Sequence, residues 1–147
     1  MIPLTPQERA QRATQAMWAG DQSSAWLGMT FDSIAPGAAT MTMRVTENHL
    51  NGHKICHGGF IFTLADSAFA FACNSYNERV VAQYNSITYI SPVTLDEVLI
   101  ATAREISKTA RNGIYDVEVV TSGGRTVAQF RGHCRVIEGR HFSENKD

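Results

Sequence analysis

Two groups eight residues apart in this chain have the types and spacing to do chemistry: the run His57-Gly58-Gly59 and the carboxylate of Asp66. From Gly58 to Tyr76 the residues are mostly apolar and free of proline, and Asp66 is the only formal charge among them. Apolar side chains fall all round this segment rather than on one stripe, which predicts a helix buried on most sides. A lone carboxylate there is costly unless something pairs with it or uses it. The ordinary reading is an ion pair with a lysine or arginine from a neighbouring strand, or a solvent-facing position. With no other charge in the span to mark a solvated face, catalysis is the preferred reading. Burial raises a carboxylate's pKa, which suits a general base or a nucleophile.

Glycines at a helix start leave backbone N–H groups unobstructed at the positive end of the helix dipole. Such a site can hold the oxyanion of an acyl-transfer transition state; the simpler reading is a tight turn that needs glycine. Eight residues of helix span about 12 Å, so one helix cannot bring both groups to one carbonyl carbon. Joint action requires two chains, the glycine of one facing the aspartate of another.

His53, Cys56 and His57 resemble a metal set only superficially. Their spacing fits neither a zinc finger nor a metalloprotease helix, and no second Cys/His cluster completes a site, so no metal is expected and the histidines are read as positioning or structural. Cys56 and His57 are adjacent and diverge as a nucleophilic pair, while Cys73 falls inside the buried helix. There is no Gly-x-Ser-x-Gly elbow and no phosphate loop.

These groups must be positioned by a single domain of 147 residues, 44% hydrophobic and 18% charged, within the globular range. The net charge of −1 argues against nucleic acid. No apolar run spans a membrane, the first residues lack signal-peptide character, and three scattered cysteines fit free thiols, so a cytoplasmic protein is expected. Residues 101–140 hold seven Lys/Arg against four Asp/Glu, a balance that suits either a solvated sheet face or an anionic ligand. A short helix is predicted over about 6–18, with Thr5 as cap and Pro6 in its first turn. Strands are predicted over 26–34 and 39–45 before the glycine-led helix, and over 80–90, 97–107, 113–121 and 125–137 after it. The core covers about 24–137, and the polar end from Glu138 is expected to be a mobile tail. The fold class is α+β: a largely antiparallel sheet with one long helix against a face. One helix cannot cover six strands, so the other face or an edge is expected to meet another subunit.

The runs Leu50-Asn-Gly-His-Lys-Ile-Cys-His-Gly-Gly59, Leu64-Ala-Asp66, Ala70-Phe-Ala-Cys-Asn-Ser75 and Ile87-Thr-Tyr-Ile-Ser-Pro92 resemble the PaaI-type hotdog thioesterases, over about residues 18–137. The resemblance implies a curved antiparallel sheet wrapped around the central helix, and a homodimer or homotetramer (a dimer of dimers) with active sites at subunit interfaces. It implies hydrolysis of acyl-CoA thioesters, of aryl type such as phenylacetyl-CoA and its ring-hydroxylated forms, as in bacterial phenylacetate degradation. Coenzyme A would be part of the substrate, with no separate cofactor. By motif position Asp66 would be the catalytic carboxylate, as base or nucleophile, and Gly58 the amide donor to the thioester carbonyl. Asn51 would help bind the substrate or the attacking water, and His57 would orient the glycine turn or the carbonyl. Phe60, Phe69 or Tyr89 would shape an aromatic pocket, and Lys108, Arg111 and Arg125 would meet the CoA phosphates. Where some relatives hold the lytic water with a serine on the strand after the helix, this chain has Ala82, leaving Gln83, Asn85 or Ser86 as replacements or the carboxylate as direct nucleophile. Two other classes fit the same residues: a non-catalytic acyl-CoA-binding sensor, and a hotdog enoyl-CoA hydratase pairing Asp66 with His57 of another chain.

Overall fold

The computed structural model describes residues 2–144. Helix α1 (Pro6–Gly20) starts where expected, because Thr5 and Glu8 form a reciprocal capping box and Pro6 occupies the first turn. Asp21 closes α1 and at once caps a second, short helix α2 (Gln22–Trp26), accepting the Ser24 N–H at 2.9 Å. This corrects the strand expected from Trp26: β1 (Thr30–Ala35) begins four residues later, and the Trp26 side chain is 80% exposed.

Then come β2 (Ala38–Arg44), a 3-10 turn (Glu47–His49), the central helix α3 (Gly58–Cys73), β3 (Arg79–Tyr89), β4 (Val98–Lys108), β5 (Asn112–Thr121) and β6 (Thr126–Ile137). All six strands pair antiparallel in the order β1-β2-β4-β5-β6-β3, giving the expected α+β layer. Tyr115, Val117 and Val119 point into the core, as the alternation along β5 predicts.

The sheet packs its inner face on α3, which lies closest to β2 and β4. Small residues permit this approach: Ala65, Ala68 and Ala72 on the helix, and Ala39, Ala101 and Ala103 on the strands, are all buried. On β6, a Cβ at Gly132 would fall 2.7 Å from the Phe69 ring, so that ring seats only over glycine. Phe69 thereby belongs to the core with Tyr115 and Phe130, which corrects its expected place in a substrate pocket.

Two features bear on the site. β3 ends the sheet with no partner on its outer edge among the described residues, and it carries the exposed side chains of Val81, Tyr84 and Tyr89. Its register slips between Ala82 and Tyr84, so Gln83 bulges and the alternation shifts by one residue. At the chain's end, the expected mobile tail is tied down through residue 144: Asn77 binds the backbone of His141 and Phe142, and Glu144 meets both Asn77 and Arg9. Residues 145–147 of that tail lie outside the described residues. No helix among those described is long and apolar enough to cross a membrane.

Candidate active site

The loop that leads into α3 is built by Asn51. Its Oδ1 accepts the N–H groups of His53 at 2.9 Å and Ile55 at 3.4 Å, folding residues 51–55 into an Asx-type turn. The Asn51 Nδ2 has no acceptor among the described residues and so remains a donor available to a ligand. His49 supports the loop from beneath: its carbonyl accepts the His57 N–H at 2.8 Å and its buried ring lies 5.2 Å from that of Phe60. Sequence reasoning missed His49, because no motif marks a histidine whose work is to brace a turn.

His57 is the N-cap of α3, its Nδ1 accepting the Gly59 N–H at 2.9 Å. That bond requires the tautomer protonated at Nε2. It also separates the two glycines. Gly59 has given its N–H to the cap, whereas the Gly58 N–H has no acceptor among the described residues. Gly58 is held from the other side by Tyr89, whose hydroxyl donates to the Gly58 carbonyl at 2.8 Å. A Cβ on Gly58 would come within 2.9 Å of the Tyr89 ring.

Asn51, Gly58 and Tyr89 line one cleft of about 320 Å³, walled by Ile55, Cys56, Ile61, Ile90 and Pro92. This is an apolar slot with two convergent donors, the Asn51 amide and the first turn of a helix. The buried Cys56 thiol is pushed up to about 11, so it carries no thiolate at neutral pH and is no nucleophile. Phe60 packs on His49 and His57 instead of lining the slot, which leaves Tyr89 as the aromatic residue of the expected three in the wall.

Asp66 lies elsewhere. It projects from the middle of α3, about 12 Å along the axis from Gly58, and is absent from the walls of the cleft. Burial raises its pKa, and a hydrogen bond from Asn85 Nδ2 to Oδ1, at 2.9 Å, opposes that rise. Among Gln83, Asn85 and Ser86, it is Asn85 that reaches the carboxylate. The bulge at Gln83 is the reason, since it turns Asn85, opposite Gly132, toward the helix and leaves Ser86 exposed.

The three cationic candidates do not converge within one chain. Arg125, in the β5–β6 hairpin, pairs with Glu97 and donates to Ser91 Oγ and the Pro92 carbonyl beside the cleft. Lys108 pairs with Glu78 and covers the Tyr76 ring, at the opposite end of β4 and β5 with Arg111. The span from Gly113 to Thr121 along β5 puts roughly 25 Å between the two ends. Among the described residues, no three His, Cys, Asp or Glu side chains gather as a metal site.

A curved antiparallel sheet wrapped around one central helix is the hotdog fold. Residues 53–128 match the family model of the Thioesterase superfamily. The acyl-coenzyme A thioesterase PaaI of Escherichia coli is 40% identical over 131 residues, covering 89% of this chain and 94% of that protein. The solved E. coli PaaI protein, from the phenylacetic acid degradation operon, superposes with a TM-score of 0.91 at 39% identity, covering 92% of this chain and 99% of that one. A hypothetical thioesterase of Streptococcus pneumoniae solved with coenzyme A superposes with a TM-score of 0.74 at 25% identity, over 76% and 88% of the two chains. The chain belongs to the thioesterase superfamily, in its PaaI-type hotdog branch, and is an enzyme, a thioester hydrolase.

Proposed function

We propose that this thioesterase hydrolyses acyl-CoA thioesters whose acyl group is aryl, of the phenylacetyl or hydroxyphenylacetyl kind. One observation supports this reading above the rest: an apolar cleft walled by Tyr89 holds two donors with no acceptor among the described residues, the Gly58 N–H and the Asn51 amide. The names of the E. coli relative and of its operon agree with the acyl class.

The thioester carbonyl takes its hydrogen bonds from the Gly58 N–H, with Asn51 Nδ2 beside it, while His57 holds the glycine turn through Gly59. Asp66 acts as general base from the neighbouring subunit, since the same chain's carboxylate lies too far along the helix. It removes a proton from water as the water oxygen bonds to the carbonyl carbon and the C=O electron pair moves onto oxygen. Collapse re-forms the carbonyl, breaks the C–S bond and returns the proton to the leaving sulfur, giving free acid and coenzyme A. Coenzyme A enters as part of the substrate, and these steps call on no cofactor.

The free edge of β3 favours pairing with a second copy, as a homodimer or a dimer of dimers that seats Asp66 of one subunit opposite Gly58 of the next. Arg125 stands nearest the cleft for the coenzyme A phosphates; Lys108 and Arg111 reach the same molecule only from another subunit. The whole chain serves as one catalytic domain, and its three buried free thiols suit a reducing cytoplasm.

The test is thiol release from phenylacetyl-CoA, hydroxylated analogues and straight-chain acyl-CoAs, for wild type, Asp66→Ala and Asp66→Asn. Expected are an aryl preference and a loss of about 10²–10⁴-fold in both variants. Unchanged turnover in the variants sinks the mechanism, and a flat profile across acyl groups sinks the substrate class.

A further inference from the structure

Between the end of α3 and the end of β3 the chain carries three asparagines, and they differ in how they are satisfied. Asn74 donates to the Ala70 and Val80 carbonyls and accepts the Val80 N–H, tying the end of α3 to β3. Asn77 likewise uses both ends of its amide, donating to Phe142 O and Glu144 and accepting the N–H groups of His141 and Phe142. Both are structural residues with full sets of partners. Asn85 is not: its Nδ2 makes a single bond, to Asp66, and its Oδ1 is buried with no partner among the described residues. A side chain kept for the fold would pair that oxygen or be replaced by an apolar one. The backbone adds to the case, because only the bulge at Gln83 brings Asn85 round to the helix.

We propose that Asn85 is the positioning residue of the catalytic carboxylate: its amide fixes Asp66 through Oδ1, leaving Oδ2 to take the proton from water. This rests on the reading of Asp66 as general base. Among the described residues nothing else close by performs the task. Cys73, further along α3, senses the charge of Asp66, but its thiol is driven far up by the neighbouring Cys134 of β6 and by burial. Ser67 faces Ser24 of α2. Burial and the Asn85 bond act on Asp66 in opposite directions.

The test uses the full-length protein with Asn85→Ala and Asn85→Leu, the second filling the same space without a donor, and reads kcat, KM and their pH profiles on phenylacetyl-CoA. Expected is a loss of about tenfold in kcat at neutral pH with KM little changed, and an acid limb moved about one unit to higher pH, with activity regained on the alkaline side. An acid limb that stays in place in a folded variant overturns the proposal, and so does loss of the folded state in both variants, which would make Asn85 structural. Asp66→Asn, run alongside, separates the two claims. If it is inactive while the Asn85 variants keep the wild-type profile, only the role of Asn85 fails. If it turns over normally, the reading of Asp66 fails and takes this one with it.

Discussion

The Tyr89 hydroxyl donates to the Gly58 carbonyl at 2.8 Å, joining the last residue of the edge strand to the first residue of the central helix. Gly58 is thus held through its carbonyl while its N–H has no acceptor among the described residues. Tyr89→Phe keeps the ring but removes this anchor, and is expected to lower kcat by about tenfold. Gly58→Ala does more harm, because its Cβ falls 2.9 Å from the Tyr89 ring and must displace one or the other. Steady-state kinetics on a single acyl-CoA check both; equal activity of Gly58→Ala and wild type would remove Gly58 from the site.

With Asp66 as the general base proposed above, activity and stability pull in opposite directions. Its carboxyl is raised by burial, so the folded protein holds the proton to higher pH than the unfolded chain does. The unfolded state therefore binds fewer protons in the window between the ordinary carboxylate pKa and the raised one, and stability falls as pH climbs through it. At neutral pH the ionised Asp66 is a net cost to folding. Asp66→Asn is expected to melt higher than wild type at pH 7 and to lose that advantage below the ordinary carboxylate range. The wild-type kcat/KM should fall on acidification with a limb lying above that range. Thermal melts at several pH values check the first sign, and a pH–rate profile the second.

Most of the architecture was legible in residue patterns, and the failures have specific causes. The span of α3 followed from two glycines before an uninterrupted apolar run, and β5 from the alternation of Tyr115, Val117 and Val119 against Asp116 and Glu118. The first strand was misplaced because a single residue, Asp21, serves as the end of one helix and the cap of the next, which apolar periodicity does not register. His57, Gly58 and Asp66 drew attention by type and spacing and Asn51 through the family resemblance, whereas Asn85, whose amide meets Asp66, stood only among three possible replacements for a water-holding serine. A bulge decides which side chains face inward, and the Gln83 bulge depends on pairing with β6, not on the local sequence. The tail's anchor was hidden for a similar reason: Asn77 reaches it across more than sixty residues.

Arg125 can be tested for phosphate binding apart from its structural role. It already braces the loop beside the cleft, through Pro92 O, Ser91 Oγ and Glu97. If it also meets coenzyme A, Arg125→Ala should raise KM for phenylacetyl-CoA several-fold and leave KM unchanged for the matching N-acetylcysteamine thioester, which lacks the phosphates. An equal rise in both would assign Arg125 to the loop alone.

Glu144 closes the fold by reaching back to α1. Its carboxylate takes two hydrogen bonds from Arg9 Nε, at 2.8 and 3.1 Å, and one from Nη2 at 3.0 Å, with the side chains only 29% and 20% exposed. Alongside, Arg12 stacks 4.4 Å from the Phe142 ring centroid. The Arg9 bonds hold the Glu144 pKa below its usual value. A lowered folded pKa contributes stability above the unfolded pKa, and that contribution is lost as pH falls through the folded one. Arg9→Ala is therefore expected to cost about 1 kcal/mol at neutral pH, a fall in Tm of about 3 °C. The gap between variant and wild type should shrink on acidification below about pH 4. Denaturant melts at pH 7 and pH 3 check it: a gap that stays constant between the two would mean that Arg9 stabilises through packing and not through the charge of Glu144.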